Sequence, residues 1–222
     1  MIPRVLEPEV MDTAEEADGY DSMDHTGPNE AFVQRLVELE AHGCMLDVGT
    51  GPGHIPLLVC ERIAAARIVG VDLSHHMLAH AERHRRGSRH RERIEFRLGD
   101  AKGLPFDDGV FDVVFSNTIL HHIPDPAPFL AEARRVLRPG GVFLVRDLFR
   151  PETHARVAEL VEQHAAGANE YQRELFRASL CAALTPAELR EAADRAGLDE
   201  AHIVLDSDRH MSLQIRRGGN AI

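Results

Sequence analysis

Short apolar runs of strand length alternate along this chain with longer amphipathic stretches. The runs at 44–48, 66–71, 94–98, 111–115 and 142–145 read as buried strands bounded by turn residues. Between them, 54–63, 74–86 and 126–137 read as helices, and strict alternation of the two predicts a parallel doubly wound sheet. Ser74 suits an N-cap, and Thr185-Pro186-Ala187-Glu188 offers cap, first-turn proline and capping-box acid for a final helix. Residues 203–205 and 211–215, turning through Asp206-Ser207-Asp208, close the sheet. Two further helices, 150–166 and 170–183, are predicted between the fifth strand and the final helix, separated by Gly167-Ala168-Asn169. No internal repeat is visible.

The first strand runs directly into Gly49-Thr50-Gly51-Pro52-Gly53. Three glycines in five residues let the backbone take positive φ and let a ligand lie against it without a Cβ in the way. Asp72 stands 21 residues beyond Gly51, at the end of the second strand, where a carboxylate reaches ribose hydroxyls. A nucleoside ligand follows. The loop alone leaves a nicotinamide dinucleotide open, although the third glycine of that fingerprint would fall at His54.

Later landmarks narrow the choice. They are Gly99-Asp100-Ala101 after the third strand, Phe111 to Asn117 around the fourth, and Leu137-Arg138-Pro139-Gly140-Gly141 before the fifth. Over residues 44–147 this ordered set resembles the class I S-adenosylmethionine-dependent methyltransferases, in their small-molecule branch. The resemblance implies a Rossmann-like α/β fold: a seven-stranded doubly wound sheet, mostly parallel with an antiparallel edge strand, and helices on both faces. It implies that Gly49, Gly51 and Gly53 border the methionine part of S-adenosylmethionine, that Asp72 binds its ribose, that Asp100 and Ala101 reach the adenine, and that Asn117 lies beside the sulfonium. Asp47, Thr50, Leu73, Met77 and His122 complete the expected cofactor set.

Composition fits one soluble enzyme domain, with 44% hydrophobic and 27% charged residues. A formal charge of −11 and a pI near 5.7 argue against nucleic acid and anionic membranes as partners, leaving a small molecule. Seven arginines crowd residues 83–97, but Phe96 is the one aromatic among them, so a solvated surface is favoured over an RNA site. The base-amino methyltransferase motif is also absent, with Ser116-Asn117-Thr118-Ile119 in its place. The three cysteines form no C-x-x-C pair, and no apolar run has signal or membrane-spanning length, so a reduced cytoplasmic setting is expected. A monomer or homodimer is expected, with Met211 and Leu213 as edge-strand residues available for pairing.

Two regions stand out beside the motifs: an acidic segment before the domain of 31–222 and a helical insertion within it. Residues 1–30 carry nine acidic side chains against Arg4 alone and read either as a solvated arm or as a lid in which Tyr20, Met23 and His25 close over a cation. The helical insertion at about 150–184 is where substrate choice is expected, with Asn169 and Tyr171 as candidates. Arg146, Asp147 and Arg150 follow the carboxyl end of the fifth strand, where ligands bind in open parallel sheets. His121 and His122 are candidates for loop structure or acid–base work, with His122 first, Asp147 second and Tyr20 in the lid. No metal is expected there, because a metal site needs three or four converging ligands and adjacent rings, with Asp125 close behind, tend to diverge.

The expected reaction is in-line transfer of a methyl group to a small-molecule acceptor, releasing S-adenosylhomocysteine. Two alternatives stay open. One is cyclisation or elimination of the cofactor's aminobutyrate chain, releasing methylthioadenosine; the other is cofactor binding without turnover.

Overall fold

The computed structural model describes residues 2–7 and 12–216. Residue 1 and residues 8–11 of the acidic arm lie outside the described residues. The strands are β1 Cys44–Val48, β2 Arg67–Asp72, β3 Ile94–Leu98, β4 Phe111–Asn117, β5 Leu137–Leu148, β6 His202–Leu205 and β7 His210–Ile215. They form one sheet in the order β3-β2-β1-β4-β5-β7-β6, with β1 to β5 pairing parallel and β7 antiparallel to both β5 and β6. Strand order reverses between β1 and β4. The loops leaving their carboxyl ends therefore part there and open a crevice.

The helices are α1 Ala14–Asp21, α2 Thr26–Glu38, α3 His54–Arg62, α4 His75–Gly87, α5 Ala127–Val136, α6 His154–His164, α7 Glu170–Ala182 and α8 Pro186–Arg195. Alternation along β4 and β5 divides the core between the two faces of the sheet. Val114, Phe143 and Val145 pack with Phe129, Leu130 and Leu189 of α5 and α8, while Val113, Phe115, Val142 and Leu144 pack with Phe32, Leu36 and Val59 of α2 and α3. Burial on both faces is why these strands read as continuous apolar runs, each fully buried Phe or Leu contributing about 1.5–3 kcal/mol. A third, smaller core joins Ile2 and Leu148 to Val157, Leu160, Val161 and Leu180, so α6 and α7 pack on the end of β5 and on the N-terminal segment.

Local chemistry sets the boundaries. Ser74 caps α4 by accepting from the Met77 amide, and Thr185 and Glu188 form the reciprocal capping box of α8. The first inserted helix begins at His154 rather than 150. Pro151 keeps its predecessor extended, Arg150 donates its amide to the Leu184 carbonyl at 2.9 Å, and Thr153 supplies the cap. Gly53 has φ +80, and a Cβ there would fall 2.7 Å from Phe96 and 3.0 Å from the Ala81 side chain. That glycine lets β3 and α4 close on the loop.

Met211 and Leu213 are not available for pairing between subunits. β7 lies between β5 and β6, both side chains are fully buried, and the sheet edge is β6. The arginine-rich stretch is largely engaged within the chain: Arg85 and Arg86 bind Glu82, Arg97 binds Glu95, and Arg93 donates to the Ile63 and Ala64 carbonyls. No helix among the described residues is long and apolar enough to cross a membrane.

Candidate functional site

The carboxyl ends of β1, β2 and β4 and the turn after β3 surround a cleft of about 820 Å³, open to solvent at its mouth. Its floor is backbone. Gly49 and Gly51 have φ of +74 and +54; a Cβ at Gly49 would strike Ile119 at 2.3 Å, whereas one at Gly51 would meet nothing within 4 Å and stand in open space beside the cleft.

Asp72 ends β2 on the cleft wall. Its Oδ2 accepts from the Gly51 amide at 2.7 Å and its Oδ1 from the Ser74 amide at 2.9 Å, so one carboxylate ties the glycine loop to the start of α4. Burial raises its pKa, opposed by those amide hydrogen bonds. Leu73 and Met77 continue the same wall, while Asp100 and Ala101 line the other side next to Lys102. Asp100 Oδ1 accepts from the Lys102 amide at 2.8 Å, which fixes the turn after β3.

Asn117, Thr118, Ile119 and His122 come from the end of β4 and the turn behind it. Thr118 has φ +61, an uncommon conformation for a β-branched residue and one that concentrates at functional sites. Its Oγ1 accepts from Asn117 Nδ2 at 3.2 Å. Tyr20, from α1, covers this side of the cleft; burial raises its pKa, with a hydrogen bond to the Thr118 side chain working against the shift.

Three expected cofactor residues stand behind the cleft wall. Gly53 serves packing, and Thr50 donates its hydroxyl to Asp47 Oδ2 at 2.8 Å beneath the loop. Burial pushes the Asp47 carboxyl up to about 7. Asp47 and Thr50 therefore shape the loop from below.

The expected substrate residues do not converge on this cleft. Arg146 is buried on the opposite side of β5 from Asp147: its guanidinium lies 4.9 Å from the Phe32 ring centroid, donates to the Pro28 carbonyl at 2.6 Å and to Asn117 Oδ1 at 3.0 Å. Burial brings its pKa down to about 10. It orients Asn117 and holds the start of α2. Asn169 is the N-cap of α7, its Oδ1 accepting from the Gln172 amide at 2.9 Å, and Tyr171 is exposed on the same helix.

Asp147 is also apart from the cleft, because β5 extends to Leu148 and turns this side chain inward. Its Oδ2 accepts from the Leu120 amide at 2.6 Å and its Oδ1 accepts from the His121 ring at 2.7 Å and the Leu148 amide at 2.6 Å. Burial alone would raise its pKa, but His121 and the amides bring it below the usual carboxylate range. His121 moves the other way: burial opposes its charge, yet Asp147 and Glu7 raise it. Asp147 thus positions the turn bearing His122 and does not line the cleft.

The two adjacent rings do not diverge. Their centroids are 4.2 Å apart with planes at 38°, and Glu7 lies 3.7 Å from His121 and 3.6 Å from His122. Asp125 binds Arg195 at 2.7 Å instead. Glu7 arrives here because Arg4 straps the N-terminal segment across the turn, donating to the carbonyls of Ile123 and Pro124 at 2.9 Å and of Ala182 at 2.6 Å. Arg4 and Glu7 were missed from sequence; the one cation in an acidic arm was the available signal.

A family model described as "Methyltransferase domain" matches residues 46–145. The 27-O-demethylrifamycin SV methyltransferase of Amycolatopsis mediterranei is 30% identical over 154 residues, covering 65% of this chain and 56% of its own. The chain spans about half the length, 37% to 56%, of the most similar curated relatives. A Methanococcus maripaludis protein, provisionally assigned as an S-adenosylmethionine-dependent methyltransferase, superposes with TM-score 0.71 at 18% identity, over 98% of this chain and 99% of its own. Phosphoethanolamine N-methyltransferase 2 of Haemonchus contortus, solved with phosphomonomethylethanolamine and S-adenosylhomocysteine, gives TM-score 0.66 at 23% identity, over 86% of this chain and 44% of its own.

Proposed function

We propose, from the membership of this chain in the class I S-adenosylmethionine-dependent methyltransferase family, that it transfers a methyl group from S-adenosylmethionine to a small-molecule acceptor. The observation that carries the reading is convergence: a bare glycine floor, the Asp72 carboxylate, Asn117, His122 and Tyr20 meet in one cleft at the strand-order reversal. The cleft lining also suits the parts of the cofactor. Asp72 suits two ribose hydroxyls, and Val71, Leu73, Ala101 and Ile123 offer apolar walls for a purine.

When bound, S-adenosylmethionine supplies a methyl group on a sulfonium, passed in line to a nucleophile with S-adenosylhomocysteine leaving. The chain's own part is mainly positioning, which is worth about 7–11 kcal/mol when reacting atoms are held aligned. Asn117, held by Arg146, and Thr118 fix the wall beside the reacting centre. Tyr20 excludes water and offers its ring and hydroxyl to a cation. His122 faces the cleft and is the side chain suited to accept a proton from the acceptor.

Incubating the purified chain with S-adenosylmethionine, with and without a small-metabolite extract, tests the reading by mass spectrometry. S-adenosylhomocysteine is expected only with extract, together with a product heavier by one methylene. Methylthioadenosine formed without extract would replace methyl transfer by cleavage of the aminobutyrate chain. Once an acceptor is known, His122→Ala is expected to lower kcat by on the order of 100-fold, with little change in cofactor affinity. An unchanged kcat would leave catalysis to positioning by Tyr20 and Asn117.

A further inference from the structure

Helix α1, which carries Tyr20 over the cleft, is fastened on its other side by a separate cluster. Asp21 meets three imidazoles: His54 Nε2 lies 2.9 Å from Oδ1, His80 Nδ1 2.8 Å from Oδ2, and His84 Nε2 3.4 Å from Oδ2. Asp18 Oδ1 lies 2.8 Å from His80 Nε2, and the His54 and His84 rings stack at 4.8 Å. None of these five side chains lines the cofactor cleft.

Proton counting shows what the cluster lacks. A neutral imidazole has one N–H. His84 Nδ1 lies 2.9 Å from the Pro52 carbonyl, which can only accept, so the proton sits there and Nε2 turns a lone pair toward Asp21. His80 stands between the Asp18 and Asp21 carboxylates, and Arg83 Nη1 lies 3.3 Å from its Nδ1. His54 Nε2 and Asp21 Oδ1 are close without forming a hydrogen bond, and Oδ1 is a buried oxygen with no hydrogen-bond partner. A buried oxygen left without a partner is costly, more so when charged.

Lone pairs from His54, His84 and Asp21 thus converge, with donor atoms all within 4.8 Å of one another. A cation with ligand distances of roughly 2.0–2.2 Å answers every lone pair at once.

We propose that Asp21, His54 and His84 bind a divalent transition metal of the zinc type that staples α1 to α3 and α4. Imidazoles with a carboxylate favour zinc, nickel or copper over magnesium or calcium. The surroundings match the outer shell such sites use: the Pro52 carbonyl fixes the His84 tautomer, and His80, 2.8 Å from Asp21 Oδ2, holds the carboxylate from behind. The ion's role is structural. Asp21 is joined directly to Tyr20 in the chain, so fastening it orders the roof of the cleft without touching the reaction.

Cobalt(II) titrated into the chelator-stripped chain at neutral pH is expected to bind one equivalent, with the intense visible bands of a four-coordinate site, and zinc should displace it. Asp21→Asn and His84→Ala should each weaken cobalt binding by on the order of 100-fold or more, while the exposed His76→Ala leaves it unchanged. Limited proteolysis gives a second readout, metal slowing cleavage around α1 in the unaltered chain and in His76→Ala but not in the ligand variants. Far-ultraviolet circular dichroism certifies that each variant is folded, and His54→Ala replaces either one that is not. Absence of a stoichiometric visible band overturns the proposal. So does a band that survives in the ligand variants, or one that is lost instead in His122→Ala, which would assign the ion to the Glu7, His121 and His122 group.

Discussion

Asp72→Ala is expected to abolish saturable binding of S-adenosylmethionine in calorimetry, a loss of about 3 kcal/mol or more and hence over about 100-fold in affinity. The carboxylate has two tasks. It accepts the Gly51 and Ser74 amides, and its position at the end of β2 suits the ribose hydroxyls. Alanine removes both, leaving the amides to find water and the glycine floor free to relax. Asparagine keeps one acceptor oxygen and removes the charge, so Asp72→Asn should retain weak binding, on the order of 10-fold below the unaltered protein. Thermal unfolding of both variants separates loop collapse from ribose recognition: a folded Asp72→Ala chain that binds the cofactor normally would sink the ribose assignment.

The cleft was legible because its residues are punctuation. Glycines after β1, the acid ending β2, Asp100 after β3 and Asn117 ending β4 occupy fixed places relative to strand ends, and strand ends are where sequence pattern is clearest. The misreadings came where a side chain's meaning depends on which face it takes. Arg146 and Asp147 looked like loop residues beyond a strand of 142–145, but β5 runs to Leu148, and alternation sends Arg146 to Phe32 and Asp147 to His121. Asn169 looked like a substrate ligand and is a helix cap, a task the same amide performs as readily. Met211 and Leu213 looked like an open edge, since strand order does not follow chain order. The Asp21 cluster draws on three helices, and its sole trace in sequence is the i, i+4 spacing of His80 and His84, hidden among arginines.

Asp147→Asn should lower stability by about 3–5 kcal/mol, the usual cost of breaking a buried ion pair from one side, and Tm by on the order of 10 °C in a chain of this size. The amide group offers one acceptor where the carboxylate had two, and its NH₂ must face either the Leu120 amide or the His121 ring, both of which donate to Asp147 now. The pH dependence carries the sharper test. Asp147 has a lowered pKa when folded, so its contribution is present above the unfolded carboxylate value of about 3.9 and is lost as pH falls through the folded value. His121 has a raised pKa, so its contribution is full below the unfolded histidine value of about 6.5 and is lost as pH rises through the folded one. Glu7, which favours the imidazolium, and Arg4, which opposes it, flank the same ring and shift that upper limit without reversing it. The Tm advantage of the unaltered protein over Asp147→Asn should therefore be widest between about pH 4 and 6.5 and narrow on both sides. A difference flat across that range would mean that no charged pair holds the turn. Because the same turn presents Thr118, Ile119 and His122 to the cleft, loosening it should also reduce turnover.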